Sequence, residues 1–342
     1  MTVKDVNCAL NFKSNEKPAF YLVIREARRH AARGIPGMGR ILILIFPRVA
    51  RFVTGARLFS YIKSMMTYRE VTERISDIGR RGAETGSIGR SEYGSEIPFI
   101  KIGRGKPTII VTAAIHAREN VTASLALDMA EYARESAADG SLYFLPMLNP
   151  DGARLIEEGA AAFGQESAEF LLRVNGGNRD FSLWKANGQA VDLNVNFAAR
   201  WGEGSLNRFV PSPESYVGKQ PFSAAETRAL RDFTLSAKPD CTLSLHAKGR
   251  VVYWYFHQSG EVKARDRRIA EFIARETGYA LGEAYTTSAG GYKDWCVEKL
   301  GIPAFTIEVV SDYLRHPLPD DALAASEKAA LVPLPVRLLR EL

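Results

Sequence analysis

The sequence predicts an α/β protein whose central sheet is covered by helices on both faces. From Thr67 onward, runs of β-branched and aromatic residues alternate with segments that repeat apolar residues at helical spacing. The length of 342 residues fits one large domain, and the apolar fraction of 46% and charged fraction of 25% are those of a globular protein. We therefore expect one folded domain over residues 66–342, preceded by an extension over residues 1–65.

The elements of this domain follow from the apolar pattern. A stripe of four residues at helical spacing opens it: Tyr68, Val71, Ile75 and Ile78. Strands rich in β-branched residues are predicted over 96–103, 107–115, 141–148, 241–247, 250–256 and 304–310. Longer amphipathic segments predict helices over 123–135, 224–236 and 265–278.

Residues 1–65 form a basic arm with weak apolar patterning. They hold 12 of the 45 Lys and Arg residues but three of the 39 Asp and Glu residues, so the remaining 277 residues have a net charge of −3. This balance does not indicate a nucleic-acid partner for the main body. We expect the arm to be a poorly ordered extension, or translated sequence upstream of a start at Met65 or Met66. A membrane-surface segment is the alternative.

Cysteine usage and hydropathy favour a cytoplasmic protein. Cys8, Cys241 and Cys296 are odd in number and far apart, which is typical of a reducing compartment. The first 20 residues contain no secretory apolar region. The apolar run within residues 39–53 ends at Pro47 after six residues, whereas a membrane-spanning helix needs about 20. We therefore expect no transmembrane segment.

A histidine and a glutamate follow a very apolar predicted strand. The segment "IIVTAAIHAREN", residues 109–120, places His116 and Glu119 on the turn that leaves this strand. Ligands bind at the carboxyl ends of strands in open α/β sheets. An imidazole and a carboxylate three residues apart can bind one metal ion there, although an ordinary surface turn also accommodates such a pair.

A third candidate ligand comes from the small number of histidines. The chain has five, and His246 ends the predicted strand "CTLSLHA" in the same way as His116 ends its own. Thr242, Ser244 and His246 share one face of that strand. Two histidines, a glutamate and an open position for water are the pattern of a catalytic zinc site. The sequence therefore predicts one zinc ion per chain, held by His116, Glu119 and His246.

A zinc hydrolase also needs a general base, for which Glu308 is the candidate. It lies in the apolar strand "PAFTIEVV", with Thr306 on its own face and Phe305 and Ile307 on the opposite face. A carboxylate in such a strand costs several kcal/mol unless it is paired or functional. A surface glutamate on an edge strand is the alternative.

Five motifs occur together and in order along the chain. They are His-x-x-Glu after a strand, "LNPDG" at 148–152, "VDLNVNF" at 191–197, Ser-x-His at 244–246 and "FTIE" at 305–308. On these motifs, over about residues 67–315, the chain resembles the zinc carboxypeptidases of the carboxypeptidase A type. The resemblance implies a mixed parallel and antiparallel sheet with helices on both faces, and a zinc-dependent peptidase.

The resemblance also implies a role for each matching residue. His116, Glu119 and His246 match the family's zinc ligands, Glu308 its general base and acid, and Asp192 the carboxylate that orients the first histidine. Lys185 follows a tryptophan, at the position of the family's oxyanion-stabilising arginine. It keeps the positive charge of that arginine but loses the planar guanidinium.

The substrate-binding positions depart from the family pattern. The family binds a terminal carboxylate with an Asn-Arg pair, but here Asn194 is followed by Val195. Lys293 follows the Gly-Gly of "AGGYKDW" at the pocket floor and suits an acidic group, as does Lys248. The family's mobile tyrosine has two candidate counterparts, Tyr285 and Tyr292.

These departures, with "LWKAN", "HAKGRVVYW" and "GGYKDW", resemble one branch of the family, the γ-D-glutamyl-L-diamino acid endopeptidases. That branch cuts bacterial cell-wall peptides between D-glutamate and diaminopimelate, and it lacks the clamp arginine. The resemblance implies a peptide substrate that carries acidic groups. The alternatives are a carboxypeptidase acting on ordinary peptides, a zinc amidohydrolase acting on small acyl-amino acids, and a peptide-binding module without catalysis. No oligomeric state is indicated.

Overall fold

The structure, a computed structural model, describes residues 66–136, 139–282, 289–319 and 321–342. The predicted basic extension over residues 1–65 lies outside the described residues, as does Tyr285. None of the described helices has both the length and the apolar character needed to cross a membrane.

A mixed sheet of eight strands forms the centre of the described residues. The strands are β1 (Glu84–Arg90), β2 (Glu96–Arg104), β3 (Thr108–Thr112), β4 (Gly140–Leu145), β5 (Cys241–Ala247), β6 (Val251–Tyr253), β7 (Ala280–Leu281) and β8 (Ala304–Val309). They lie in the order β1-β2-β4-β3-β5-β8-β6-β7. The strands β4, β3, β5 and β8 are parallel, whereas β2 pairs antiparallel with β4 and β6 with β8. The predicted mixed sheet is confirmed.

Helices cover both faces of this sheet. Those in the described residues are α1 (Tyr68–Arg80), α2 (Val121–Glu135), α3 (Pro150–Glu158), α4 (Gln165–Val174), α5 (Ala225–Ala237), α6 (Gly260–Thr277), α7 (Tyr292–Leu300), α8 (Ala325–Leu331) and α9 (Leu334–Leu338). Successive side chains of a strand point to opposite faces. Ile109 and Val111 of β3 accordingly pack with α2 and α6, while Ile110 packs with α5 and α7.

Glycine and proline account for elements that the apolar pattern did not predict. β1 contains Gly86 and Gly89 and has little buried surface, so it shows no strand periodicity. α3 begins at Pro150, and the Oδ1 atom of Asn149 accepts a hydrogen bond of 2.9 Å from the backbone N–H of Gly152. The "LNPDG" motif is therefore a capped helix start with proline in the first turn.

The predicted strand over residues 107–115 ends early, and this early end positions the histidine behind it. Pairing of β3 stops at Thr112. Ala114 then takes a φ angle of 46°, which is uncommon for a residue other than glycine, and its N–H donates to Thr122 Oγ1 at 2.9 Å. The chain therefore bends at the carboxyl ends of the parallel strands, where His116 lies.

Candidate functional site

The three predicted metal ligands converge at the carboxyl ends of β3 and β5. His116 precedes the short 3-10 turn Ala117–Glu119, which places His116 Nδ1 2.9 Å from Glu119 Oε1. His246 lies on β5, which pairs with β3. Its Nδ1 is 3.2 Å from His116 Nδ1 and 3.1 Å from Glu119 Oε2. All three side chains are buried.

The ring of His116 is oriented by Asp192. His116 Nε2 lies 3.2 Å from Asp192 Oδ1, a close contact whose alignment falls short of a regular hydrogen bond. Asp192 itself accepts hydrogen bonds from the backbone N–H groups of Ser215 at 2.9 Å and Asn194 at 3.1 Å. Burial opposes ionisation of Asp192, but Lys185 and His116 hold the pKa of its carboxyl well below the usual range. Nε2 of His116 therefore faces Asp192, and Nδ1 faces the other two ligands.

This arrangement fits a zinc ion. Zinc ligands at about 2.0–2.1 Å in tetrahedral geometry lie about 3.3 Å from one another, and the facing atoms of His116, Glu119 and His246 are 2.9–3.2 Å apart. Nδ1 of His116 and Nδ1 of His246 each face an oxygen of Glu119. Burial alone would raise the pKa of Glu119, but the two imidazoles hold it well below its usual range. Two imidazole nitrogens and a carboxylate that face one another are the donor set of a zinc site. Within the described ranges, these three residues are the one group whose geometry can hold a metal ion.

Glu308 lies beside the ligand set because of the strand register. β5 and β8 are parallel neighbours in which Glu308 pairs with His246 and Thr306 with Ser244. Burial raises the pKa of Glu308 to about 7, and the His246 imidazole acts in the opposite direction. A positive charge at the ligand set would lower this pKa. The geometry therefore places one carboxylate next to the candidate metal position without making it a ligand.

A polar cavity of about 280 Å³ opens onto these groups. All but three of the predicted site residues line it, the exceptions being Glu119, Tyr292 and the undescribed Tyr285. The residues that line it are His116, Lys185, Asp192, Asn194, Val195, Leu206, Asn207, Ser215, His246, Lys248, Tyr253, Gly291, Lys293, Asp294, Thr306 and Glu308. The cavity thus holds three lysines and three carboxylates besides the ligand set.

Each of the three cavity lysines already has an acidic neighbour. Lys293 Nζ lies 2.6 Å from Asp294 Oδ1 and also donates to the carbonyl of Tyr255 at 3.2 Å. Lys248 Nζ lies 2.6 Å from an oxygen of Asp312. Lys185 Nζ is 3.7 Å from Asp192 Oδ2, and this carboxylate raises the pKa of Lys185 although burial acts to lower it. The lysines that the sequence predicted for the pocket are therefore present, and each has a carboxylate beside it.

Tyr292 is not a cavity residue, contrary to the prediction. It is the first residue of α7 and is fully buried, with its hydroxyl 2.8 Å from Thr234 Oγ1. The reason is the helix start: the turn that points Lys293 into the cavity points Tyr292 into the apolar cluster beneath α5 and α7. Among the described tyrosines, Tyr253 lines the cavity instead.

The chain-end clamp is incomplete in the structure, as it is in the sequence. Asn194 lines the cavity and its Oδ1 accepts from the N–H of Tyr292 at 3.2 Å, which also caps α7. Val195 lines the cavity with an apolar, mostly buried side chain. At the position where the family carries its arginine, this chain has Val195.

Sequence reasoning missed Asp294, Tyr253 and the loop residues Leu206 and Asn207. Asp294 follows a predicted site residue directly and stands three residues after Gly291, the capping position of α7. That spacing was a usable signal. Tyr253 lies within the quoted segment "HAKGRVVYW", but nothing in that segment singles it out, because it reaches the cavity only through the folding of β6. Leu206 and Asn207 carry no motif and lie on the loop after residue 200.

Comparison with known proteins identifies the fold and the family. The family described as zinc carboxypeptidase matches residues 69–323. The chain belongs to this zinc carboxypeptidase family. It is 33% identical over 248 residues to the γ-D-glutamyl-L-diamino acid endopeptidase 1 of Lysinibacillus sphaericus, covering 68% of this chain and 61% of that protein. It thus spans about three-fifths of that relative's length.

A further relative supports the family assignment, and a solved structure supports the fold. The zinc carboxypeptidase of Simulium vittatum is 30% identical over 247 residues, covering 65% of this chain and 76% of that one. The structure of bovine thrombin-activatable fibrinolysis inhibitor has the same fold, with a TM-score of 0.66 at 17% identity over 82% of this chain and all of that chain. Membership of this family, together with a His-Glu-His group that can hold a metal ion, identifies zinc as the cofactor of this chain.

Proposed function

We propose that this zinc metallopeptidase hydrolyses the amide bond between the γ-carboxyl of D-glutamate and diaminopimelate in cell-wall-type peptides. His116, Glu119 and His246 would hold the zinc ion, which supplies a Lewis acid that polarises the scissile carbonyl. The proposal rests on the charge pattern of the cavity and on the 33% identity to the Lysinibacillus sphaericus endopeptidase.

The chain's own residues would move the protons and stabilise the developing charge. Glu308 would take the proton of the attacking water and pass it to the leaving amine, which requires a carboxylate within hydrogen-bond reach of both. Lys185 would stabilise the negative charge that develops on the carbonyl oxygen. Asp192 would keep the His116 ring in the orientation that directs Nδ1 to the metal.

The observation that carries the proposal is the ion pair of Lys293 and Asp294 in the cavity wall. Lys293 is 8% exposed and Asp294 7% exposed, and their charged atoms are 2.6 Å apart. The far end of diaminopimelate carries an ammonium and a carboxylate on one carbon atom. Such a zwitterion can exchange partners with the pair, its carboxylate binding Lys293 and its ammonium binding Asp294, so that every buried charge remains paired. A substrate with only one of the two charges leaves one member of the pair without a partner.

The incomplete clamp supports an endopeptidase over a carboxypeptidase. With Val195 beside Asn194, a free carboxylate next to the scissile bond meets an amide and an apolar side chain. A charge-assisted hydrogen bond contributes about 1.5–3 kcal/mol, and the loss of one weakens chain-end recognition accordingly. The enzyme therefore has no need of a terminal carboxylate at that position.

Replacing Lys293 with methionine tests the role of the ion pair. We expect kcat/KM for a γ-D-glutamyl–diaminopimelate peptide to fall about tenfold or more, the scale of one lost charge-assisted contact. A peptide with lysine in place of diaminopimelate lacks the distal carboxylate and should lose much less. Lys299→Met is the matched control, because Lys299 lies on the same helix but pairs with Glu298 away from the cavity. Equal losses for both peptides would contradict the assignment.

Replacing Val195 with arginine tests the missing clamp. The arginine variant has a cation beside Asn194 that can bind a free terminal carboxylate. The kcat/KM for ordinary peptides with such a carboxylate, divided by the kcat/KM for the diaminopimelate peptide, should therefore rise about tenfold. Val195→Leu keeps the site apolar and serves as the control. If the arginine variant shows the wild-type ratio while it retains zinc, the clamp does not decide substrate choice.

We also propose that residues 66–342 form the catalytic domain and that the protein acts in the cytoplasm. Cys241 and Cys296 carry free buried thiols, which fits a reducing compartment. Cell fractionation that finds the protein outside the cytoplasm would contradict this placement.

A further inference from the structure

The first turn of α5 contacts both ends of the segment that carries Asp192 and Asn194. At one end, Glu226 Oε2 accepts a hydrogen bond of 3.1 Å from Asn187 Nδ2. At the other end, Asn196 Oδ1 accepts from Thr227 Oγ1 at 2.7 Å and from the N–H of Ala224 at 3.1 Å. Glu226, Thr227 and both asparagines are completely buried.

Asn187 is the centre of the loop before Asp192. Its Oδ1 accepts from the backbone N–H groups of Gln189 at 3.0 Å and Val191 at 2.9 Å. Its carbonyl accepts from Trp184 Nε1 at 3.2 Å, and its own N–H donates to the carbonyl of Val191 at 2.9 Å. The orientation of the Asn187 side chain therefore determines the path of the backbone on both sides of it. Among the described residues, Glu226 accepts the hydrogen bond from the side-chain amide of Asn187.

The two ends of this loop reach the metal site. The carbonyl of Lys185 accepts from the N–H of Ala117, the residue after His116, at 3.2 Å. Asp192 contacts the His116 ring at 3.2 Å. A shift of Asn187 would therefore move the Lys185 ammonium and loosen the contact that orients His116.

The charge state of Glu226 is set by its surroundings. Burial raises the pKa of Glu226 to about 8, and the nearby carboxylates of Asp151 and Glu92 act in the same direction, while its own backbone N–H and Asn187 oppose them. Arg228 lies 3.7 Å from Glu92 rather than against Glu226. The second carboxyl oxygen of Glu226 has no hydrogen-bond partner within the part of the chain that the structure describes. At neutral pH the side chain is therefore largely protonated and binds Asn187 through a carbonyl-type oxygen, as a glutamine would.

We propose that the first turn of α5 positions the zinc-site loop, Glu226 acting through Asn187 and Thr227 acting through Asn196. These two are positioning residues, since neither lines the cavity. The inference rests on the proposed roles of Lys185 and Asp192, and it concerns how firmly the chain holds its metal rather than which peptide it cleaves.

The test is the rate at which the zinc-loaded full-length protein loses zinc to a chromogenic chelator. Glu226→Leu removes the acceptor for Asn187 and should speed zinc loss about tenfold, the lower end of the usual effect of removing an outer-shell partner. Glu226→Gln keeps the acceptor and should stay within about twofold of wild type. Thr227→Val, which keeps the shape of the side chain, should speed zinc loss by a smaller factor. Glu327→Leu is the control: it removes another buried glutamate, one bound to Arg250 and Tyr279, and should leave zinc loss unchanged.

A second measurement compares thermal unfolding of the zinc-loaded wild type with that of Glu226→Gln. The carboxyl of Glu226 has its pKa raised from 4.5 to about 8 in the folded protein. Its contribution to the free energy of unfolding is fully present below pH 4.5 and is lost as pH rises to 8, because the unfolded chain ionises first. The glutamine variant should therefore match wild type near pH 5 and melt at a higher temperature near pH 8.

The outcomes separate this inference from the substrate proposal, because neither measurement uses a substrate. Faster zinc loss in Glu226→Leu and Thr227→Val, with Glu226→Gln and Glu327→Leu like wild type, supports the positioning role. Zinc loss in Glu226→Gln as fast as in Glu226→Leu, or unchanged zinc loss in Thr227→Val, overturns it. If Glu226→Leu does not fold, zinc loss in Thr227→Val and the melting comparison decide. A Glu226→Gln variant that melts below wild type at pH 8 overturns the inference.

Discussion

Replacing Glu308 with glutamine is expected to lower kcat by about a hundredfold or more while leaving zinc bound. Loss of a positioned general base costs about 10²–10⁴ in rate. Glu308 lies on β8 beside His246 and faces the cavity, but the candidate ligand set does not include it. Glutamine keeps the size and polarity of the side chain and removes its ability to take a proton.

Steady-state kinetics with elemental analysis of the same preparations measures this effect. Glu214→Gln is the matched control, because Glu214 contacts Arg118 near the ligand turn at 3.4 Å but does not line the cavity. The control should keep turnover within a few-fold of wild type. A Glu308→Gln enzyme that does the same would show that another group takes the proton.

Replacing His246 with alanine should lower zinc content from about one ion per chain to a small fraction of that. The change removes one of three ligand atoms that lie 2.9–3.2 Å apart, and it leaves His116 and Glu119 with too few partners for tetrahedral zinc. Turnover should fall together with zinc content, because the zinc ion that would polarise the scissile carbonyl is lost.

Elemental analysis after purification without chelator provides the measurement. His257→Asn is the control, because His257 is exposed and has a φ angle of 61°, which asparagine tolerates. Wild-type protein without zinc would show that the chain does not hold the ion, and a His246→Ala variant with full zinc would show that the ion is bound elsewhere.

The sequence predicted the centre of this site because strand chemistry is local. Two predicted strands end in a histidine, and in a chain with five histidines few other pairs could bind one metal ion. Side chains alternate between the two faces of a strand, so Glu308 and Thr306 lie on one face. The structure brings these side chains together through the β3–β5–β8 order. That order was not predicted, since the family resemblance implied only a mixed sheet with helices on both faces.

The periphery was harder to predict because it depends on contacts between distant segments. Nothing near Lys248 in the sequence indicates that Asp312 reaches its ammonium, since the two are brought together by the turn after β8. Tyr292 was assigned to the cavity, whereas the exact start of α7 turns it inward and leaves Lys293 in the cavity wall. One residue of difference at a helix start reverses which side chain faces the substrate.

The measurement that tests the proposed function most directly is the site of cleavage in the tetrapeptide L-alanyl-γ-D-glutamyl-meso-diaminopimelyl-D-alanine. The reaction is run in ¹⁸O-labelled water and the products are identified by mass spectrometry. We expect L-alanyl-D-glutamate with one ¹⁸O atom in its carboxyl groups, together with unlabelled diaminopimelyl-D-alanine, and the Glu308→Gln enzyme should form these products about a hundredfold more slowly, or slower still. Release of free D-alanine with the remaining tripeptide intact would show a carboxypeptidase and contradict the proposal.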